Sequence, residues 1–332
     1  MKRLRSVVLV AATGLLVLGA GAASGTSTPA AHAAACVRAT NIEAIIDDSG
    51  SMAVTDPDTL RVKGLKLLIN TLSPSTVLGA VEFGGILTPA ADTVFAPEPV
   101  GPNAAAMGTA LDSKIKHDNG TTDYNAAFAQ SDQDNPNAQA RIFLTDGAHN
   151  AGTYNNGHLV HKVPTYVISF GTGILSADRA RLNGIATSTG GTYYPQTDSS
   201  HLQSVMNSIG AAITCQTPPQ SFSDQLKQGA SKTHTVAIGA HTKSIQVALT
   251  WSSPLDRFAI GHLRLVSHGK TIAAAARVRK LKIKSTKSAT FSLLTVTGLS
   301  KGTLRFNVKA AKVGSGHPKV TLTTQVRQSR AK

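Results

Sequence analysis

Glutamate is nearly absent from this 332-residue chain: only Glu43, Glu82 and Glu98 occur. With so few, an H-E-x-x-H metal site is excluded and paired glutamates for acid/base work are disfavoured. No G-x-S-x-G elbow surrounds Ser49 or Ser51, and neither a P-loop nor a dinucleotide fingerprint is found. Each absence removes the usual signature of an enzyme class, so the chain reads as non-catalytic. Aromatic residues make up only 5% of the sequence. Their scarcity argues against base stacking and single-stranded nucleic acid as a partner. Cysteine is limited to Cys36 and Cys215. Beyond the N-terminus, no apolar run is long enough to span a bilayer.

The first residues do carry an export pattern. Lys2, Arg3 and Arg5 precede an apolar stretch over 7–23, and the small-residue run Ala33-Ala34-Ala35 follows. This reads as a secretory signal over 1–35, cleaved after Ala33 or Ala35, and implies a secreted or surface-associated protein. In an oxidising compartment, an even cysteine count favours one Cys36–Cys215 disulfide. Closing so long a loop would stabilise the fold by about 4–5 kcal/mol on the chain-entropy model.

Charge divides what remains. Residues 36–218 hold 16 acidic against 10 basic side chains, and residues 219–332 hold 20 basic against only Asp224 and Asp256. The two nets, −6 and +18, meet at the proline-rich segment 216–220, which reads as a linker between a domain over 36–215 and another over 221–332.

The acidic part alternates short apolar β-type runs with helical windows. Strands are expected over 42–47, 77–83, 141–145, 165–170 and 192–195. Helices are expected over 59–72, 104–116, 124–130, 178–188 and 201–213. Unalternating strands separated by helices indicate an α/β, Rossmann-like, doubly wound and mostly parallel sheet with its ligands at the carboxyl ends of the strands. One such end carries Asp47-Asp48-Ser49-Gly50-Ser51, and a second carries Thr145-Asp146-Gly147. Between them, Gly120-Thr121-Thr122-Asp123 precedes a helix. Two carboxylates and three hydroxyls are hard oxygen donors, too few for a closed calcium cage. They suit Mg²⁺, with Mn²⁺ or Ca²⁺ as alternatives, and leave a coordination position open.

In order, spacing and strand context, Asp47, Ser49, Ser51, Thr122 and Asp146 match the metal-ion-dependent adhesion site of von Willebrand factor type A domains, which residues 39–213 resemble. The resemblance implies a six-stranded sheet with the metal on its upper edge. It also implies chain ends that lie close together and a partner whose Asp or Glu carboxylate completes the coordination. Family members usually show Gly-Gly-Thr where this chain has Gly120-Thr121-Thr122, and Thr122 is the expected ligand.

Two further patterns have plain readings. Asn119-Gly120-Thr121 is a glycosylation sequon that serves here as a turn, and His158/His161 is an H-x-x-H in a polar loop.

In the basic part the helical signal ends. Expected strands over 235–238, 244–251, 262–267, 289–297, 303–310 and 319–326 indicate a small all-β antiparallel sandwich. Residues 247–251, 263–265 and 299–308 resemble bacterial pre-peptidase C-terminal domains in fold only. The run Arg277-Val278-Arg279-Lys280-Leu281-Lys282-Ile283-Lys284 reads as one edge strand with Val278, Leu281 and Ile283 inward. Arg277, Arg279, Lys280, Lys282 and Lys284 would then face an anionic cell-surface polymer or lipid. Two functions follow. One is an adhesion or protein-binding module working through a metal; the other is a surface-associated polyanion-binding structural protein in which the α/β domain is a scaffold.

Overall fold

The computed structural model describes residues 38–330 except 86–89, 118–119, 170, 172–173, 196–200, 216–218, 275–278 and 315–319. The signal over 1–35, Cys36, Asn119 and most of the expected linker lie outside the described residues.

Six strands form the first sheet: β1 (Asn41–Asp47), β2 (Val77–Phe83), β3 (Ala91–Pro99), β4 (Ala140–Thr145), β5 (Thr165–Ser169) and β6 (Tyr193–Pro195). Their order is β3-β2-β1-β4-β5-β6, parallel except for the antiparallel edge strand β3. The order reverses beside β1, so the loops after β1 and β4 open at a topological switch point, where ligands collect in such sheets.

Helices cover both faces. Ile42, Ala44 and Ile46 of β1 pack with α2 (Leu60–Thr71), α3 (Val100–Lys114) and α6 (Leu202–Ile213) through Leu65, Leu68, Leu111, Met206 and Ile209. Ile45 points the other way, to α4 (Tyr124–Asp134) and α5 (Ser176–Thr189) through Phe128, Leu182 and Ile185. A short helix, α1 (Met52–Thr55), sits between β1 and α2. The ends of this body meet: Ala39 N–H donates to the Ile213 carbonyl at 3.0 Å. Cys215, just beyond, is not a free thiol.

The basic part is a β-sandwich. One five-stranded sheet orders β13 (Lys282–Lys287), β14 (Phe291–Thr297), β9 (Thr242–Thr250), β16 (Val320–Arg330) and β7 (Gln220–Leu226). The other orders β12 (Arg279–Lys280), β11 (Lys270–Ala274), β10 (Arg257–Ser267), β15 (Gly302–Lys312) and β8 (Ser231–Ile238). All pairings are antiparallel except β11 with β12. Val247, Leu249, Leu265, Leu304, Phe306 and Val326 fill the space between the sheets. Gln220, expected in the linker, begins β7.

The first of these sheets is covered on its outer face as well. Ala248, Phe291 and Leu293 pack on Leu67 of α2. Asn207 of α6 donates to Gln325 Oε1 at 2.8 Å, and Gln325 Nε2 donates to Ser208 Oγ at 3.1 Å. The two bodies therefore share a buried polar and apolar junction, and Cys36–Lys332 forms one compact unit.

The basic run departs from its expected form. It is not one strand: β12 ends one sheet, β13 ends the other, and Leu281, 2% exposed, is the anchor between them. Ile283 is opposite the core residue Val296 of β14, on the expected inward face, yet it is 39% exposed because an edge strand has a neighbour on one side only. The edge position itself holds on both sheets.

Candidate metal centre

Asp47 closes β1, where successive side chains alternate between faces. It is fully buried and its carboxylate is saturated: Oδ1 accepts from Ser49 Oγ at 2.6 Å and Ser49 N at 3.0 Å, and Oδ2 accepts from Thr145 Oγ1 at 2.6 Å. Burial, and next the Asp146 carboxylate, push the Asp47 carboxyl up to about 6.

Thr122 Oγ1 donates to Ser49 Oγ at 3.2 Å, Ser49 and Ser51 hydroxyls lie 3.3 Å apart, and Ser51 Oγ donates to Asp146 Oδ1 at 2.7 Å. All five expected residues thus join in one hydrogen-bonded cluster at the carboxyl edge of the sheet. Thr122 is buried and bonded to Ser49, whereas Thr121 is exposed.

Three loops must approach closely for this to happen. Gly50 N–H donates to the Gly120 carbonyl at 3.3 Å. A Cβ on Gly120 would lie 2.1 Å from the Gly84 carbonyl oxygen, and one on Gly84, whose φ is +124°, would lie 2.3 Å from Ser49 N. Only glycine fits either place. That contact, rather than a turn alone, explains Gly120 in the sequon.

Thr122 is held by a reciprocal clamp: its N–H donates to Asn150 Oδ1 at 2.8 Å, and Asn150 N–H donates to its carbonyl at 3.0 Å. Next to it, Asp123 caps α4, accepting from Asn125 N at 2.9 Å and Ala126 N at 3.2 Å.

Beneath the cluster lies a second set that the motif did not reveal. Asp48 alternates away from Asp47 and pairs with Arg61, while accepting from Lys116 N at 2.7 Å and His117 N at 2.8 Å. Arg61 also pairs with Asp56 at 3.0 Å, and Asp56 in turn accepts the Leu60 N–H at 2.7 Å at the start of α2. Burial raises the Asp56 carboxyl. Asp48 is therefore structural, fastening the 116–117 loop to the strand end. Thr55, likewise unforeseen, donates its hydroxyl to Asp146 Oδ2. Their signal was present in an acidic neighbour to the motif and an arginine at the second position of α2, but no spacing rule joins them.

The donor set fits a hard divalent cation. Two carboxylates supply charge, and each hydroxyl that now donates to a neighbour keeps lone pairs for a metal. A Cβ on Gly147 would sit 3.6 Å from Thr122 Oγ1 and 3.8 Å from Ser51 Oγ, so the missing side chain leaves room beside the hydroxyls. Among the described residues no three His, Cys, Asp or Glu side chains are grouped to hold a metal.

The other expected residues fall elsewhere. Lys282 and Lys284 are exposed on β13. Arg277 lies outside the described residues, as do the side chains of Arg279 and Lys280. His158 is no loop histidine: it is 5% exposed, 2.5 Å from Tyr154 Oη and 3.1 Å from Ser188 Oγ, while His161 is exposed. The pair holds nothing in common.

No family model and no curated protein matches the sequence. Among solved structures, a von Willebrand factor type A protein from Catenulispora acidiphila is similar over 89% of this chain and 63% of its own, at 16% identity and a TM-score of 0.44. Proximal thread matrix protein 1 from the mussel byssus is similar over 58% of this chain and 50% of its own, at 18% identity and 0.45. The pilus adhesin SpaC from Lactobacillus rhamnosus GG is similar over 87% of this chain and 44% of its own, at 11% identity and 0.44. This chain thus spans about half to two thirds of the length of those structures. The strand order β3-β2-β1-β4-β5-β6 is that of the expected Rossmann-like, mostly parallel sheet, and an antiparallel sandwich follows it.

Proposed function

We propose that this chain is an exported, non-catalytic adhesion or protein-binding module that captures an acidic side chain of a partner protein through a divalent cation. Asp47, Ser49, Ser51, Thr122 and Asp146 would hold the ion, with Mg²⁺ the best match to two carboxylates and Mn²⁺ or Ca²⁺ as substitutes. The observation that carries the reading is the convergence of all five oxygens from three separate loops into one cluster. The bound cation would supply an electrophilic position for a carboxylate oxygen, and the hydrogen bonds among the five residues hold their oxygens together at the sheet edge. Ser49 and Ser51 bond to Asp47, Thr122 and Asp146 rather than to an imidazole, which supports binding over nucleophilic chemistry. A Cys36–Cys215 disulfide joining the ends of the first body, and export by the N-terminal segment, belong to the same reading.

Thermal melts with millimolar Mg²⁺ against EDTA provide the test. A ligand at 100 times its Kd adds about 2.7 kcal/mol to the native state. For a domain of this size that corresponds to roughly 5–10 °C. No shift in the wild-type protein, with Asp146→Ala behaving the same, sinks the metal reading. A pull-down from a surface fraction with and without EDTA then tests the partner.

The exposed Lys282 and Lys284 on β13 favour a second reading, attachment to an anionic surface polymer or lipid by the sandwich. Raised salt rather than EDTA would abolish that interaction.

A further inference from the structure

A cavity of about 340 Å³ opens at one end of the sandwich, between the end of β9, the start of β10 and the turn from β13 to β14. Its volume falls in the range of small-ligand sites. Phe258 and Phe291 form apolar walls, and Trp251 stands beside Phe258 with ring centroids 5.3 Å apart. The polar lining consists of donors: Arg257, Lys287, Ser288 and Ser292, with no carboxylate among the lining residues.

These donors have capacity to spare. Arg257 spends one nitrogen on the Pro254 and Asp256 carbonyls, and its other nitrogens make no hydrogen bond among the described residues. Lys287 is exposed and makes no ion pair among them. Trp251 is 3% exposed and brings an indole N–H that no atom of the described residues accepts. The nearest acid, Asp256, is fully buried and turns Oδ1 to the Gly314 N–H at 2.7 Å. The other acid of this body, Asp224, is taken by His234 at 2.6 Å. Neither Arg257 nor Lys287 makes an ion pair among the described residues, and the second oxygen of Asp256, Oδ2, has no hydrogen-bond partner among them.

We propose that this cavity binds an acidic saccharide, with Arg257 and Lys287 holding its acid group, the serine hydroxyls meeting its alcohols and the phenylalanine walls meeting its C–H faces. A charged guanidinium and ammonium over a donor-rich, acceptor-poor lining selects an anion. Two hydroxyls beside apolar walls select a ring that is both hydroxylated and carbon-faced. The site is separate from the five-residue oxygen cluster, and of the cationic edge strand it takes only the last residue, Lys287.

Trp251 is the chain's single tryptophan, so its emission reports on this cavity alone. The full chain is titrated with a galacturonic acid tetramer, with heats from calorimetry as a second readout. A galactose tetramer and octanoate serve as controls. The expected result is a saturable change with the uronate and at least tenfold weaker binding of the neutral sugar and of octanoate. Arg257→Gln/Lys287→Gln should lose at least tenfold in affinity with an unchanged melting temperature, and Lys282→Gln/Lys284→Gln should bind as the wild type does. If the double variant fails to fold, Lys287→Glu alone carries the same expectation. Silence in both readouts, or equal binding of the neutral sugar, overturns the proposal. Equal or tighter binding of octanoate reassigns the cavity to a lipid acid, and loss in the Lys282/Lys284 variant reassigns binding to the edge strand; either result also overturns it.

Discussion

The two bodies handle charge in opposite ways. In the α/β body, carboxylates go inside: Asp47, Asp48 and Asp56 are at most 1% exposed, and each is bonded to a named partner. In the sandwich only two acids exist, and both are buried and bonded, so the surface there is left to cations. A buried charge must be paired and hydrogen-bonded to be tolerated, and its geometry is then fixed. An exposed charge is screened and free to move. The first body uses charge to hold atoms in place, and the second uses it as a field.

The sharpest break in that comparison is Arg61. It is fully buried between Asp48 and Asp56, and replacing it with alanine leaves two carboxylates in the interior without their cation. Removing one partner of a buried pair costs about 3–5 kcal/mol. Urea unfolding of Arg61→Ala should show a loss of that size. A loss below 1 kcal/mol would mean that the network carries no structural weight. Because Asp48 anchors the 116–117 backbone, the same variant should also weaken the Mg²⁺ response.

Next in size is the five-residue oxygen cluster, where the carboxylates of Asp47 and Asp146 repel. Asp146 raises the Asp47 carboxyl, so the metal-free cluster holds two carboxylates that oppose each other. Asp146→Asn removes the repulsion. In EDTA its melting temperature should match or exceed that of the wild type by up to about 1 kcal/mol of stability, while the gain of about 2.7 kcal/mol in saturating Mg²⁺ disappears. Calorimetry in the two buffers separates these effects. A variant that is destabilised in EDTA yet still responds to Mg²⁺ contradicts the assignment.

How far this contrast could be read beforehand depended on the element. The ends of β1 and β4 were legible because their buried runs are uninterrupted and each stops at an aspartate. β3 was not: Ala91–Pro99 carries Pro97 and Pro99, which belong in a strand only at an edge, and this is an antiparallel edge. α3 begins at Val100, ahead of the expected 104, because Pro102 in the first turn lacks only an N–H that has no intrahelical partner there. The basic run looked continuous because alternation says nothing of a chain passing from one sheet to the other. The junction between the bodies was invisible for a different reason. Leu67, Ala248, Phe291 and Leu293 each look like ordinary core residues, and only the fold shows that they face one another.

Glu43 offers a subtler probe of the interior. It is fully buried on β1, with Oε2 accepting from Asn135 Nδ2 at 2.9 Å. Burial first, with Asp134 adding and Asn135 and Arg141 opposing, raises its carboxyl from 4.5 to about 8. The native state therefore keeps a proton that the unfolded chain releases. Between about pH 4.5 and 8 the native state binds more protons than the unfolded one, so this group's contribution to stability falls as pH rises, and it levels off above 8. The slope is at most about 1.4 kcal/mol per pH unit. Glu43→Gln should flatten it, leaving the variant more stable than the wild type at pH 8 and close to it at pH 5. Urea titrations at those two pH values decide the matter, and parallel profiles would place the ionised carboxylate inside the fold at neutral pH.

The smallest structural effect, and the clearest expression of the second body's use of charge, is expected on β13. Lys282 and Lys284 are solvated on an edge strand, so Lys282→Ala/Lys284→Ala should change stability by no more than about 0.5 kcal/mol per site. Their effect should appear instead in association with an anionic surface. Sedimentation with vesicles of acidic lipid across a salt series should show weaker binding and a shallower salt dependence than the wild type, because fewer cations contribute to the attraction. A large stability loss would make these lysines part of the fold after all. An unchanged salt profile would mean that the sandwich's field arises elsewhere on its surface. Either result would erase the distinction between charge that builds structure in one body and charge that reaches outward from the other.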